Sequence, residues 1–213
     1  NLGDEYGVSA EVVSKDLAVP GGPDEVYEEV QDRGIEVDIL VNNAGIGTNG
    51  YFHETEMDDE LTLVNLNVVA LTHLTKLFLE DMVERGDGKI LNVASSAAFQ
   101  PGPLMATYYA SKSYVLSFSE GIAEELRGSG VSVTALCPGP VDTDFFERAD
   151  MEESNLAKRR ATPEGVAKKG YKGLMKGKTV VIPSPKFKLL AFSVRLGPRF
   201  VVRKISKWLN SPS

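Results

Sequence analysis

Tyr108 and Lys112 are four residues apart, so on a helix they stand on one face, one turn apart. A phenol ordinarily keeps its proton near neutrality, and a neighbouring ammonium favours the phenolate, which makes such a tyrosine a usable acid and base. Ser95 sits thirteen residues earlier, directly after the apolar run Lys89-Ile-Leu-Asn-Val-Ala94. A hydroxyl held there would steady a substrate oxygen against Tyr108. The three residues describe proton transfer to or from a carbonyl or alcohol oxygen. A Tyr and a Lys at this spacing are also an ordinary surface pair; the order strand, Ser, loop, Tyr, Lys sets this one apart.

The elements that must position them follow from periodicity. Strands are expected at Val8–Asp16, Val37–Val41, Lys89–Ala94, Val131–Leu136 and Lys178–Ile182. The end of a helix is expected over residues 1–7. Helices are expected from Asp24 to Arg33, through the stripe Leu61, Val64, Val68, Leu71, Leu74, Phe78 and Met82, and from Tyr108 to Arg127. A further helix starts at Thr162-Pro-Glu164, with the threonine as cap and the proline at its first position. Phe145 to Arg160 reads as a polar, mobile region. Strands alternating with helices predict an open parallel α/β sheet that binds ligands at the carboxyl ends of its strands, where Asn42–Gly45, Ser95 and Pro138–Thr143 all fall.

Each of those ends has its own logic. In Asn42-Asn-Ala-Gly45 the small residues let a flat group approach the backbone, and the amides tie neighbouring strands. An ordinary strand-end turn has the same composition. Pro138-Gly-Pro-Val-Asp-Thr143 frees backbone groups at a turn and offers the Thr143 hydroxyl beside them. Asn67 is an amide on an apolar helix stripe, either a satisfied core residue or a polar group aimed into the site; Asn65 competes with it. Cys137 reads as a packed small hydrophobe.

With these residues in place, the chain resembles the short-chain dehydrogenase/reductase family, and residues 1–185 carry the resemblance. It implies a Rossmann-like doubly wound α/β fold and an NAD(P)-dependent enzyme that interconverts a carbonyl and an alcohol by hydride transfer. It implies that Tyr108 is the acid and base, that Lys112 tunes it and binds the cofactor ribose, and that Ser95, not Ser96, orients the substrate oxygen. Tyr109 has no lysine four positions on and is excluded. Asn67 is implied to hold a relay water. Cofactor contacts are implied for Asp16, Asn43, Ala44, Gly45, Tyr108, Lys112, Pro138, Gly139, Val141 and Thr143, with NAD or NADP as cofactor and Asp16 near the adenine. A homodimer or homotetramer is implied as well. The family's opening strand and T-G-x-x-x-G-x-G turn, which hold the pyrophosphate, are not in this sequence. By the family's layout the first two strands are lacking, and a fragment of a longer product is expected.

Composition bounds the rest. Two histidines and one cysteine predict no metal centre, and one cysteine fits a reducing, cytoplasmic setting. No unbroken run of about 18 apolar residues occurs, so no membrane span is expected. The net charge of −7 argues against nucleic acid as a partner, but it hides an asymmetry. Residues 1–150 carry 8 Lys and Arg against 27 Asp and Glu, a net of −19, whereas residues 151–213 carry 15 against 3, a net of +12. The tail, residues 186–213, has seven basic residues from Lys186 to Lys207, no acidic ones, and interleaved Leu, Phe, Val, Ile and Trp. Such a basic amphipathic stretch suits either peripheral membrane contact or a lid that docks on the acidic half.

Overall fold

The computed structural model describes residues 2–158 and 160–212. Its sheet has four parallel strands in sequence order: β1 (Ile39–Asn42), β2 (Gly88–Val93), β3 (Val131–Leu136) and β4 (Val180–Val181). Successive β2 side chains point to opposite faces, and both faces find helices. Ile90 packs with Leu74, Phe78 and Met82 of α4 (Leu71–Arg85), while Leu91 packs with Leu174 of α7 (Pro163–Leu174). The helix α5 (Ala106–Glu125) lies beside α4 and buries Val115 and Leu116. The α/β, doubly wound, all-parallel arrangement expected from the strand–helix alternation is therefore present. The Thr162 hydroxyl caps α7 by accepting from the Gly165 N–H, with Pro163 in the first turn, as the sequence predicts.

Two expectations fail. Val8–Asp16 forms no strand: it has no regular secondary structure, Val12 is exposed, and it shares no β-ladder with a described segment, touching α2 (Gly22–Asp32) and its end through Lys15–Glu25 and Glu11–Arg33. Strand identity needs a partner's hydrogen bonds, and local β propensity does not supply them. Only a five-residue helix, α1 (Leu2–Tyr6), precedes it, and α2 comes after it and leans on α4 through Tyr27 and Phe78. Second, Phe145–Arg160 is built and packed. It holds α6 (Phe145–Arg148) and a one-turn 3₁₀ helix (Asn155–Lys158), and it buries Phe146, Met151 and Ala157. Its apolar residues follow no period and are hidden among charges, so the pattern reads as polar. The helix running Met57–Arg85 is by length and composition sufficient to cross a bilayer, although no unbroken apolar run marks it. It is a core helix here, with Leu63, Leu71, Leu74, Phe78 and Met82 buried.

That helix is not uniform. It begins as α3 (Met57–Val64), widens into a π-helical segment (Asn65–Ala70), and continues as α4. The basic tail forms two helices, α8 (Pro185–Leu196) and α9 (Arg199–Asn210), which lie over the carboxyl ends of the strands.

Candidate active site

The ends of β1 and β2 are locked to each other and to the helices α4 and α5 by buried amides before any site residue appears. Asn42 and Asn92 are register partners, and the Asn42 side-chain amide donates to Asn92 Oδ1 and to Thr75 Oγ1, each at 2.9 Å. Asn92 in turn donates to Ser119 Oγ on α5. This is the strand tying expected of the first asparagine in Asn42–Gly45. Above it the loops are joined in the same way, because the Ser96 N–H donates to the Pro138 carbonyl at 2.7 Å and draws the turn after β2 against the turn after β3.

Ser95 comes just after β2 and caps the 3₁₀ turn Ser96–Phe99, its hydroxyl accepting from the Ala97 N–H at 3.1 Å. Ser95 and Tyr108 line the same cavity, near enough for the serine side chain to favour the phenolate. Lys112, one turn along α5, is buried and donates from Nζ to the Val93 carbonyl at 2.9 Å, which leaves Nζ 5.8 Å from the Tyr108 ring centre. Asn67 sits in the π-helical segment and grips the backbone of the loop after β1. Its Oδ1 accepts from the Ile46 N–H at 3.0 Å, and its Nδ2 donates to the Ile46 carbonyl at 2.9 Å and to Ser111 Oγ at 3.1 Å. The structure thus turns Asn67 inward and leaves Asn65 exposed. Gly45 closes the cluster: a Cβ there would meet Asn67 Oδ1 at 3.1 Å and Lys112 Nζ at 3.2 Å.

Nine of the residues expected at the site line one cavity of about 810 Å³: Asn43, Gly45, Ser95, Tyr108, Lys112, Pro138, Gly139, Val141 and Thr143. Asn67 stands directly behind Gly45. Two expected cofactor contacts lie elsewhere. Ala44 is exposed off the cavity wall. Asp16 ends no strand, because Val8–Asp16 shares no β-ladder with a described segment; its carboxylate instead accepts from the Ala18 N–H at 2.9 Å and closes a local turn.

Burial dominates the titration of the pair. Tyr108 is pushed up to about 12 by desolvation, with the Ser95 side chain pulling weakly the other way. The lowering expected from Lys112 is overridden by this desolvation, although the ammonium stands over the ring, 5.8 Å from its centre, while it donates to the Val93 carbonyl. Lys112 is itself brought down to about 8 by burial. Tyr108 therefore stands protonated at neutral pH, as a proton donor must. Cys137 is buried and its thiol is raised to about 12, which agrees with a packing role.

Sequence reasoning missed the outer wall. Phe145 lies 5.2 Å from Tyr108, ring centre to ring centre, and its edge occupies the space that a side chain on Gly47 would need. Phe187 of α8 lies flat on Gly139, where any Cβ would fall 2.3 Å from the ring. Leu190 and Leu209 extend this wall from the two tail helices. Asn210 fastens it: it accepts from the Tyr109 hydroxyl at 3.0 Å and donates to the Pro103 carbonyl at 2.9 Å. The excluded tyrosine is thus a structural anchor. No local motif marks Phe187 or Asn210, because their positions depend on how the tail returns across the sheet.

The comparisons with known proteins agree with this geometry. The family model described as short chain dehydrogenase matches residues 1–154. The chain is 34% identical over 158 residues to a ketoacyl reductase, HetN, of Nostoc sp., covering 74% of this chain and 55% of that protein. It is 34% identical over 146 residues to a very-long-chain 3-oxoacyl-CoA reductase of Anas platyrhynchos, covering 66% and 46%. The chain thus spans about half the length of these two curated relatives. Among solved structures, a short-chain dehydrogenase from Sphingobium yanoikuyae in complex with NADPH superposes with a TM-score of 0.79 at 29% identity, over 91% of this chain and 77% of that one.

Proposed function

The chain belongs to the short-chain dehydrogenase family, and from that premise we propose that it interconverts an apolar ketone or aldehyde and the corresponding alcohol with a nicotinamide dinucleotide. One observation carries the reading: Ser95 and Tyr108 come together in the wall of one cavity, with buried Lys112 one turn along α5 from the tyrosine. Two hydroxyls that meet there can both turn to one substrate oxygen.

The residues fit the nicotinamide end of such a cofactor. Gly45 brings bare backbone against Lys112 and Asn67, and the turn Pro138–Val141 offers further backbone with the Thr143 hydroxyl beside it. Asn43, Gly45, Lys112, Gly139 and Thr143 would hold it, and when bound it supplies or accepts the hydride. The chain's own residues handle the proton. Ser95 orients the substrate oxygen. Tyr108, protonated at neutrality, donates its proton to that oxygen in reduction and accepts it in oxidation. The Lys112 ammonium, held by the Val93 carbonyl, favours the phenolate left after donation. Asn67 fixes the Ile46 backbone and keeps Gly45 against Lys112.

Met105, Phe145, Phe146, Met151 and Leu209 make the rest of the wall apolar and exclude water from the reacting oxygen, which is the basis for an apolar substrate. Exposed Leu61 and Val69 on the long helix, with Tyr114 stacked on Phe118 of α5, support a dimer through these helices as part of this proposal.

The test is NADPH-dependent reduction of a panel of apolar ketones. Tyr108→Phe should cut turnover about a thousandfold while NADPH affinity, read by fluorescence titration, stays unchanged. Equal turnover in the variant would remove Tyr108 from the proton step. A folded wild-type chain that binds neither NADH nor NADPH would overturn the reading as a whole.

A further inference from the structure

The two tail helices have one inner and one outer side, and the inner side belongs to the site. Phe187, Leu190 and Leu209 line the cavity, and Ala191, Ser206 and Asn210 are buried. The outer sides carry large apolar residues in register. On α8, Leu189, Phe192 and Leu196 recur at the helical repeat and are 70%, 62% and 75% exposed. On α9, Val201, Ile205 and Trp208 form the matching stripe, with Trp208 62% exposed. Seven basic residues flank these stripes between Lys186 and Lys207, and no acidic residue occurs after Glu164 in the chain. Among the described residues none of the seven forms an ion pair.

We propose that α8 and α9 seat the protein on an anionic lipid surface, with the cavity wall directly behind the seated face. The charge pattern selects this occupant. A lid folded wholly onto the protein's own acidic half would pair its lysines and arginines and leave no apolar stripe outside, whereas here the seven form no ion pair among the described residues and Leu189, Phe192, Leu196, Ile205 and Trp208 face outward. An acidic protein surface would answer the charges but would leave Leu189, Phe192, Ile205 and Trp208 against polar groups. A bilayer interface answers both at once, phosphates for the basic residues and the acyl boundary for the stripes. Residues 1–150, at −19, are repelled by the same surface, which leaves one orientation. The seated face is the back of the cavity wall, since Leu190 borders the cavity and is itself 38% exposed. An apolar carbonyl compound dissolved in the bilayer therefore has the shortest route to Tyr108. That last step rests on the proposed catalytic role of the site; the docking does not.

Trp208 is the chain's one tryptophan, so its emission reports the seated face directly. The full chain is titrated with phosphatidylcholine vesicles with and without phosphatidylserine, and with vesicles whose lipids are brominated in mid-chain. Emission should shift to the blue and be quenched only with the anionic vesicles, and the affinity should fall as salt is raised. Replacing both exposed residues, Phe192→Ser and Ile205→Ser, should weaken binding roughly tenfold or more, with circular dichroism unchanged. Tyr108→Phe should bind vesicles as the wild type does, so that a failure of turnover and a failure of docking are read separately. A folded chain whose Trp208 responds to neither vesicle, or equally to both, overturns the proposal. So does a blue shift that grows with protein concentration in the absence of lipid, which would assign the face to a second copy.

Discussion

The cavity has two walls made in opposite ways. The inner wall is backed by a polar lattice on the sheet ends, where Asn42, Asn92, Thr75 and Ser119 bond one another and Asn67, Lys112 and Ser111 bond backbone or hydroxyl partners around Gly45. The outer wall is apolar, laid across the opening by α6, the 3₁₀ turn Asn155–Lys158, α8 and α9. Its polar contacts are scattered single bonds, among them Asn210 to Tyr109, Pro103 and Asn49, Asn155 to the Trp208 and Ser211 carbonyls, and Lys207 to the Tyr51 hydroxyl. Buried polar groups satisfied on every side impose one geometry, whereas apolar contact tolerates sliding. In the proposed reaction, proton transfer needs fixed hydroxyls, and substrate entry needs a wall that can give. The division of materials matches the division of tasks.

Breaking the lattice should cost most. Asn67→Ala leaves the Ile46 N–H and carbonyl without their side-chain partner, and urea unfolding should show a loss of about 3 kcal/mol. A loss no larger than that of an exposed substitution would mean the loop after β1 is held by something else.

A titration sharpens the same point. Burial holds Lys112 near 8, well below an ordinary lysine, so between about pH 8 and pH 10 the folded chain binds fewer protons than the unfolded one. Stability contributed by this site therefore rises with pH across that window. Relative to Lys112→Met, the wild type should gain about 2 kcal/mol between those limits. A difference that is flat with pH would show Lys112 to be hydrated.

The outer wall should respond least. Asn210→Ala removes the anchor of α9 and should cost about 1 kcal/mol of global stability. Hydrogen exchange should nevertheless quicken throughout α8 and α9 while the amides of β2 and β3 keep their protection. Exchange that quickens in both walls together would make them a single cooperative unit and end the contrast between them.

The two walls also differ in how far the sequence discloses them. Tyr108 and Lys112 are legible because the helical repeat is local, and Ser95 because a strand end precedes it at a fixed distance. Asn67 could be preferred to Asn65 but not placed, since its partner Ile46 belongs to another element. Val8–Asp16 has the composition of a strand and, among the described residues, no strand to pair with. Phe145, Phe187 and Asn210 leave no periodic trace, because what makes them walls and anchors is the return path of the tail. The direction of the Tyr108 shift is hidden for a related reason: spacing shows the nearby charge but not the burial that outweighs it.

The π-helical segment Asn65–Ala70 works as a setting screw between these parts. One extra residue in a turn rotates the helix on its N-terminal side by about 100° relative to the helix on its C-terminal side. Downstream, α4 keeps Leu71, Leu74, Phe78 and Met82 on the sheet; upstream, α3 is free to turn Leu63 and Glu60 inward, where Glu60 receives Thr48 and Thr55 from the loop that Asn67 grips. Removing a single residue within the segment would relax it to a plain α-helix and leave every hydrogen bond of α4 in place. It would also swing the Asn67 amide away from Ile46, so that a one-residue deletion separates a sheet that folds from a site that forms.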